Sequence, residues 1–158
     1  MIFVTMGMQK FQMNRLVKAA DELAEQISEE VFVQKGWSDY VPKHCKFTDF
    51  MDATDYNKKI GECSVLVTHA GVGTIVSGIK AGKPIVVVPR MNKYLEHVDD
   101  HQHQIAEAFS TKGGVVCCEE VEKLHEYIDK ARTFEFKPYA LRGGNIEKTI
   151  MDFINIFD

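Results

Sequence analysis

The sequence has no apolar run approaching the ~18 residues that a membrane-spanning helix needs, so any hold on a membrane must come from another molecule. Its start, MIFVTMGMQK, lacks the basic leading segment of a secretory signal and reads as a first β-strand. No cluster of Lys or Arg stands out and the net charge is −4, which argues against a nucleic-acid surface. The four cysteines, Cys45, Cys63, Cys117 and Cys118, form no CxxC pair; they read as free thiols in a reducing cytoplasm, not as disulfides or a zinc site. Internal repeats, low-complexity tracts and a domain break are also missing. What is there is a chain of 158 residues, 45% of them apolar, which suffices for one domain with its own core.

Short β-prone runs recur at Ile2 to Thr5, Val31 to Val33, Cys45 to Phe47, Val65 to Val67, Ile85 to Val88 and Val115 to Cys118. Between them lie helical patterns. One opens at Phe11 and carries Leu16, Ala19, Ala20, Leu23 and Ile27 on one face; others cover Phe50 to Ile60, the residues after Thr74, His101 to Phe109 and Glu119 to Ala131. A last amphipathic helix is expected over about 145–157, with Ile146, Ile150, Phe153, Ile154 and Phe157 on one side. Its apolar face would either dock a partner or pack on its own domain. Alternating strands and helices predict an α/β fold, a Rossmann-like doubly wound parallel sheet, with ligands at the carboxyl ends of the strands.

Ser64 to Gln102 concentrates the chemistry. His69 follows an apolar strand directly, and Gly71, Gly73 and Thr74 lead into a helix. Glycines free backbone N–H groups to face an anion, and the helix start adds partial positive charge. An imidazole N–H from His69, at the rim of the sheet, is expected to meet the same anion. Thr74 either caps the helix or donates to a phosphate. The spacing is neither GxGxxG nor the GK[ST] of a P-loop, so a dinucleotide or a Walker-type site is not indicated. Gly7, in the loop after the first strand, either lets the backbone approach a ligand or makes a tight turn. Arg90 and the segment Glu96 to His103 follow the next strand and are expected to converge on the same edge. Asp99 and Asp100 serve there as ligand contacts or as helix caps. His97, His101 and His103 raise a metal site as an alternative to hydrogen bonding, but no HExxH pattern is present and no metal is expected.

HAGVGT, GKPIVVVP and the HQ that precedes IAEAF resemble the C-terminal, nucleotide-sugar-binding half of the family 28 glycosyltransferases, which have a two-Rossmann-domain "B" architecture. Residues Met1 to about Cys118 carry the resemblance. MIFVTMGMQKF and EHVDDHQ look most like a split branch, in which the donor-binding half is a separate small protein and a membrane-attached partner supplies the other half. That branch includes small subunits of paired bacterial exopolysaccharide and capsule glycosyltransferases, and is similar to the soluble catalytic subunit of dolichol-linked UDP-GlcNAc transferase.

The resemblance implies one nucleotide-sugar-binding domain over 1–158, equivalent to one lobe of the two-lobed enzyme. It places Gly7 and Gln9 near the diphosphate or donor sugar, Phe50 and Met51 at the uracil, His69, Gly71, Gly73 and Thr74 at the diphosphate, and His101 and Gln102 at the sugar. Two positions depart from the family pattern: Ser77 stands where many relatives have a ribose-gripping Glu, and His101, preceded by Asp100, replaces the Asp of an Asp-Gln pair. The implied function is an inverting glycosyltransferase subunit, cytoplasmic and recruited to the inner face of the membrane by its partner. It would move a sugar from a UDP-sugar to a lipid-diphosphate-linked acceptor in polysaccharide synthesis, with no cofactor besides the UDP-sugar substrate. The general base would lie on the partner; Glu96 and His97 are the candidates within this chain. The alternative is a non-catalytic nucleotide-binding regulatory module.

Overall fold

Ile2-Phe3-Val4-Thr5 forms strand β1, and all four residues are buried. Successive side chains of a strand point to opposite faces, so Ile2 and Val4 enter one core and Phe3 the other. A strand covered on both faces must sit centrally in a parallel sheet. The computed structural model describes residues 1–137 and places β1 there. The helix expected over about 145–157 lies outside the described residues.

The chain continues through α1 (Asn14–Gln26), β2 (Val31–Gln34), β3 (Lys46–Thr48), α2 (Ala53–Glu62) and β4 (Val65–Thr68). It then forms α3 (Val72–Lys80), β5 (Ile85–Val87), α4 (His101–Thr111), β6 (Val116–Cys117) and α5 (Leu124–Thr133). The six strands lie in the order β3-β2-β1-β4-β5-β6, and every pairing is parallel. This is the Rossmann order, in which the chain reverses its direction of travel across the sheet between β1 and β4. The loops that leave β1 and β4 therefore diverge to opposite faces and open a crevice at their carboxyl ends.

One face is covered by α1 and α5, whose Leu16, Val17, Ala20, Leu124 and Ile128 pack on Ile2, Val4 and Val67. The other is covered by α2, α3 and α4, whose Ile60, Ile75 and Ala106 pack on Phe3, Leu66 and Ile85. The expected elements are present with shifted ends. α1 starts at Asn14 rather than Phe11, β3 slips by one residue, and α2 starts at Ala53 because Asp52 caps it, accepting from the Asp55 amide at 2.8 Å. Glu119 to Ala131 is a 3-10 turn at Val121–Lys123 followed by α5.

The connection from β2 to β3 is fixed by a buried carboxylate. Asp21 of α1 accepts from the Tyr40 hydroxyl at 3.0 Å and from the amides of Lys43, His44 and Cys45 at 2.7–3.1 Å. Burial alone would raise its pKa, but these donors outweigh it and hold the group below the usual Asp value. Its contribution is therefore complete above the ordinary Asp range and is lost as pH falls through the lowered folded value. Asp21→Asn turns an amide N–H toward those donors. We expect a loss of about 2–3 kcal/mol at neutral pH by urea unfolding, shrinking below about pH 4; equal midpoints at neutral pH would contradict this.

Candidate functional site

A cleft of about 620 Å³ opens at the carboxyl edge of the sheet, beside the β1/β4 crossover. The β1–α1 loop contributes Gly7, Met8 and Gln9, and the segment entering α2 contributes Phe50 and Met51. The β4–α3 turn and the first turns of α3 contribute His69, Gly71, Gly73, Thr74 and Ser77. The structure thus brings nine of the sequence-designated residues to one cleft. Four further contributors, Met8, Gln34, Ala53 and Tyr56, were not singled out. Gln34 ends β2 next to β1, accepts from Thr5 Oγ1 and donates to the Gly7 and Asp49 carbonyls, tying the loops on either side of the cleft. Tyr56 shares a 2.8 Å hydrogen bond with Thr74 Oγ1.

His69 sits at the floor of this cleft, not at its rim, and is 5% exposed. Its ring lies under two glycines. A Cβ on Gly7 would stand 2.4 Å from Nε2, and one on Gly71 would stand 2.4 Å from Cε1, so a side chain at either position would displace the ring. Gly7 also has φ +69°, which favours glycine in its own right.

On its other edge the ring meets Gln102, whose Oε1 lies 3.2 Å from Nδ1 and also accepts the Arg90 amide at 3.2 Å. A backbone N–H can only donate, which fixes that atom as the amide oxygen and makes His69 Nδ1 the protonated nitrogen. Burial, and then the Arg90 charge, push the imidazole down to about 4, so at neutral pH it is uncharged. Nε2 then carries only a lone pair and has no hydrogen-bond partner among the described residues. The expectation of an imidazole N–H facing the anion is corrected: in the free protein the cleft meets an acceptor.

The other residues of the β5–α4 segment do not line the cleft. Arg90 is completely buried and donates to the carbonyls of Met6, Phe11, Gln12 and Glu96 at 2.6–3.3 Å, with Nε unpartnered. It staples the loop after β1 to the loop after β5 and does not line the cleft, because its guanidinium is buried among these carbonyls. Glu96 is also buried, gripped by Arg15 at 2.7 and 2.9 Å and by the Met91 amide, and so is withdrawn from acting as a base. His97 lies against the Phe11 ring and bonds Asp99. Asp100 accepts from the Asn92 amide, and Asp99, not Asp100, accepts from the His101 amide at the start of α4.

His101 projects outward, about half exposed, while Gln102 is buried against His69 and donates to Gln9 at 3.4 Å. Successive helical residues point roughly 100° apart, so only one of this pair can face the site. Thr74 is the third residue of α3, whose cap is Gly71, so the capping alternative for Thr74 is set aside. Ser77 Oγ donates back to the Gly73 carbonyl. His103 faces Glu119 instead of its two neighbours, and among the described residues no group of three possible metal-binding side chains is assembled.

No Asp, Glu, Lys or Arg is among the described residues that line the cleft. At the start of α3 no side chain caps the helix and Gly73 stands in open space, so the helix-start amides and their partial positive charge are free to face the cleft. Phe50 and Met51 offer an apolar wall in the same cleft.

A Rossmann lobe with an uncapped, glycine-flanked helix at its crossover and an apolar wall beside it has the form of the donor-binding lobe of a two-lobed glycosyltransferase. The chain belongs to the glycosyltransferase family 28 C-terminal domain family, whose model matches residues 1–155. It is 33% identical over 92 residues to the UDP-N-acetylglucosamine transferase subunit ALG13 of Saccharomyces cerevisiae. That match covers 57% of this chain and 44% of the yeast protein, so the chain spans under half of that relative. Among solved structures, the calicheamicin glycosyltransferase CalG4 aligns with 84% of this chain and 34% of its own, at 14% identity and a TM-score of 0.64. MurG of Acinetobacter baumannii aligns with 98% of this chain and 49% of its own, at 18% identity and a TM-score of 0.57. These two likenesses establish the fold.

The staple role of Arg90 is directly testable. Arg90→Met leaves four carbonyls without their donor, and we expect it to lower unfolding stability by about 3 kcal/mol in urea. Unchanged stability would show that the buried guanidinium does not hold the two loops together.

Proposed function

We propose that this chain is the donor-binding subunit of an inverting glycosyltransferase, which binds a UDP-sugar and presents its anomeric carbon to an acceptor held by a second subunit. The observation that carries the reading is the cleft itself, which the α3 start, His69, Phe50 and Met51 line together. The diphosphate lies against the amides of the Gly71–Thr74 turn, and the uracil against Phe50 and Met51. As the sugar–phosphate bond breaks, negative charge grows on the departing UDP, and the helix start and turn amides stabilise it in place. Gln102 and Gln9, joined to each other and to His69, stand nearest the sugar.

The acceptor hydroxyl needs a base to take its proton. With Glu96 paired to Arg15 and no carboxylate lining the cleft, that base is assigned to the partner subunit. Ser77 in place of the usual Glu leaves the ribose without a charge-assisted contact. The reading requires no cofactor beyond the UDP-sugar. The acceptor is a lipid-diphosphate-linked sugar, as in bacterial exopolysaccharide or capsule synthesis.

Support for a partner comes from the carboxyl edge. Met8, Trp37, Leu95 and Val98 are exposed on the loops that follow β1, β2 and β5, and Leu95 holds a left-handed φ of +57° with its side chain out. In the two-lobed fold this edge faces the second lobe. No helix among the described residues is long and apolar enough to cross a membrane. In this reading the partner holds the chain at the inner, cytoplasmic face of the membrane.

The test is thermal unfolding with UDP, GDP and dTDP, followed by sugar transfer with and without the co-expressed partner. UDP at a hundred times its Kd is expected to add about 2.7 kcal/mol, a rise in Tm of about 5–10 °C, and to exceed the other two. An equal response to all three would remove the uracil assignment. UDP binding with no transfer under any partner would identify a non-catalytic module instead.

A further inference from the structure

Resting on the UDP-sugar reading above, we propose that the donor binds together with a proton: His69 is neutral in the empty cleft and becomes doubly protonated, taking the proton at Nε2, when a nucleoside diphosphate sugar enters. The geometry leaves little alternative. The ring is almost wholly buried and makes one hydrogen bond, through Nδ1–H to Gln102, whose orientation the Arg90 amide dictates. Nε2 lies between Gly7 and Gly71, has no partner among the described residues, and presents a lone pair where the phosphate oxygens would come. A lone pair against an oxyanion repels; a proton between them converts that repulsion into a charge-assisted hydrogen bond.

Apart from the partial charge of the α3 start, the cleft offers no other cationic side chain among its described lining residues. Its lining residues include no Lys or Arg, and His69 is the one histidine among them. Around the imidazole, the β1–α1 loop presents Gly7 and Gln9, the β4–α3 turn presents Gly71, and α4 presents Gln102, all uncharged. The charged or titratable groups acting on it are Arg90 and His97, from the β5–α4 segment; burial and the Arg90 charge acting first, they keep the empty site deprotonated. An arriving diphosphate reverses that balance by placing negative charge in contact with the ring. The proton comes from solvent, attaches to Nε2, and leaves Nδ1–H bound to Gln102 throughout.

The sign of the linkage follows. Binding that takes up a proton is favoured by acid: affinity for a UDP-sugar weakens by up to tenfold per pH unit between about 4, the free value, and the higher pKa in the complex. A UDP-sugar has no group of its own that titrates near neutrality, so this dependence belongs to the protein.

The experiment is nitrogen NMR of histidine-labelled protein at about pH 6.5, free and with UDP-glucose, UDP-N-acetylglucosamine or uridine, together with affinity against pH. The expected result is that the His69 Nε2 resonance moves from its unprotonated to its protonated position with a nucleotide sugar, and stays put with uridine. Assigning the resonance separates His69 from the more exposed His97 and His101. Gln102→Glu places a carboxylate against Nδ1, so its His69 should be protonated before the ligand arrives and its affinity profile should shift to higher pH. A His69 Nε2 that remains unprotonated with UDP-glucose saturating the site overturns the proposal while leaving the nucleotide reading intact. Failure of every probe to bind removes the nucleotide reading and the proposal with it.

Discussion

The hydrogen bond from His69 to Gln102 is the contact on which the site depends. It joins the end of β4 to the start of α4 across β5, and Arg90 supplies both ends of the arrangement. Its backbone N–H sets which atom of the Gln102 amide meets the imidazole, and its buried side chain holds the Met6, Phe11 and Gln12 carbonyls of the loop that closes over His69. A buried guanidinium ringed by carbonyls is costly to assemble and costly to break, so the loops on either side of the cleft are fixed before any ligand arrives. Preorganisation of this kind is what the proposed diphosphate site, with no lysine or arginine among its described lining, requires, because helix-start amides act only over short distances and with the right aim.

The two glycines above the ring serve the same end from the other side. Because neither Gly7 nor Gly71 can carry a side chain without displacing His69, the backbone lies directly on the imidazole and the ring lies directly under the cleft. Burial follows from that closeness, and the neutral imidazole follows from burial. The parallel sheet supplies the setting: β1 and β4 are paired in register from Ile2 with Val65 to Thr5 with Thr68, so their carboxyl ends finish level and their loops part at one point.

Much of this was legible in the sequence, for local reasons. Apolar runs bounded by glycine marked β1, β4 and β5, and the order His, Gly, Gly, Thr after a strand marked the turn into α3 without tertiary information. What was not legible depended on neighbours distant along the chain. Arg90 after Pro89 reads as a residue of the ligand-binding edge; the return of the β1–α1 loop, some 80 residues earlier, buries it instead. Glu96 looks like a free carboxylate until Arg15, 81 residues away, is seen to grip it. His101 and Gln102 looked like a pair acting together, and the helical turn separates them. Gln34 carried one available signal, a polar residue closing an apolar strand, but its value depends on β2 lying beside β1. The tautomer of His69 is the furthest from the sequence, since it is set by a backbone amide acting through another side chain.

The central claim, that the cleft under Gly7 and Gly71 holds a nucleoside diphosphate, is tested most directly by a crystal structure of the protein soaked with a UDP-sugar. The account predicts diphosphate density at the start of α3, within hydrogen-bonding distance of the Gly73 amide and His69 Nε2, with the base against Phe50 and Met51. Density for the nucleotide elsewhere on the surface, for example beside Arg15, Lys93 and Tyr94, with the cleft left empty, would contradict it.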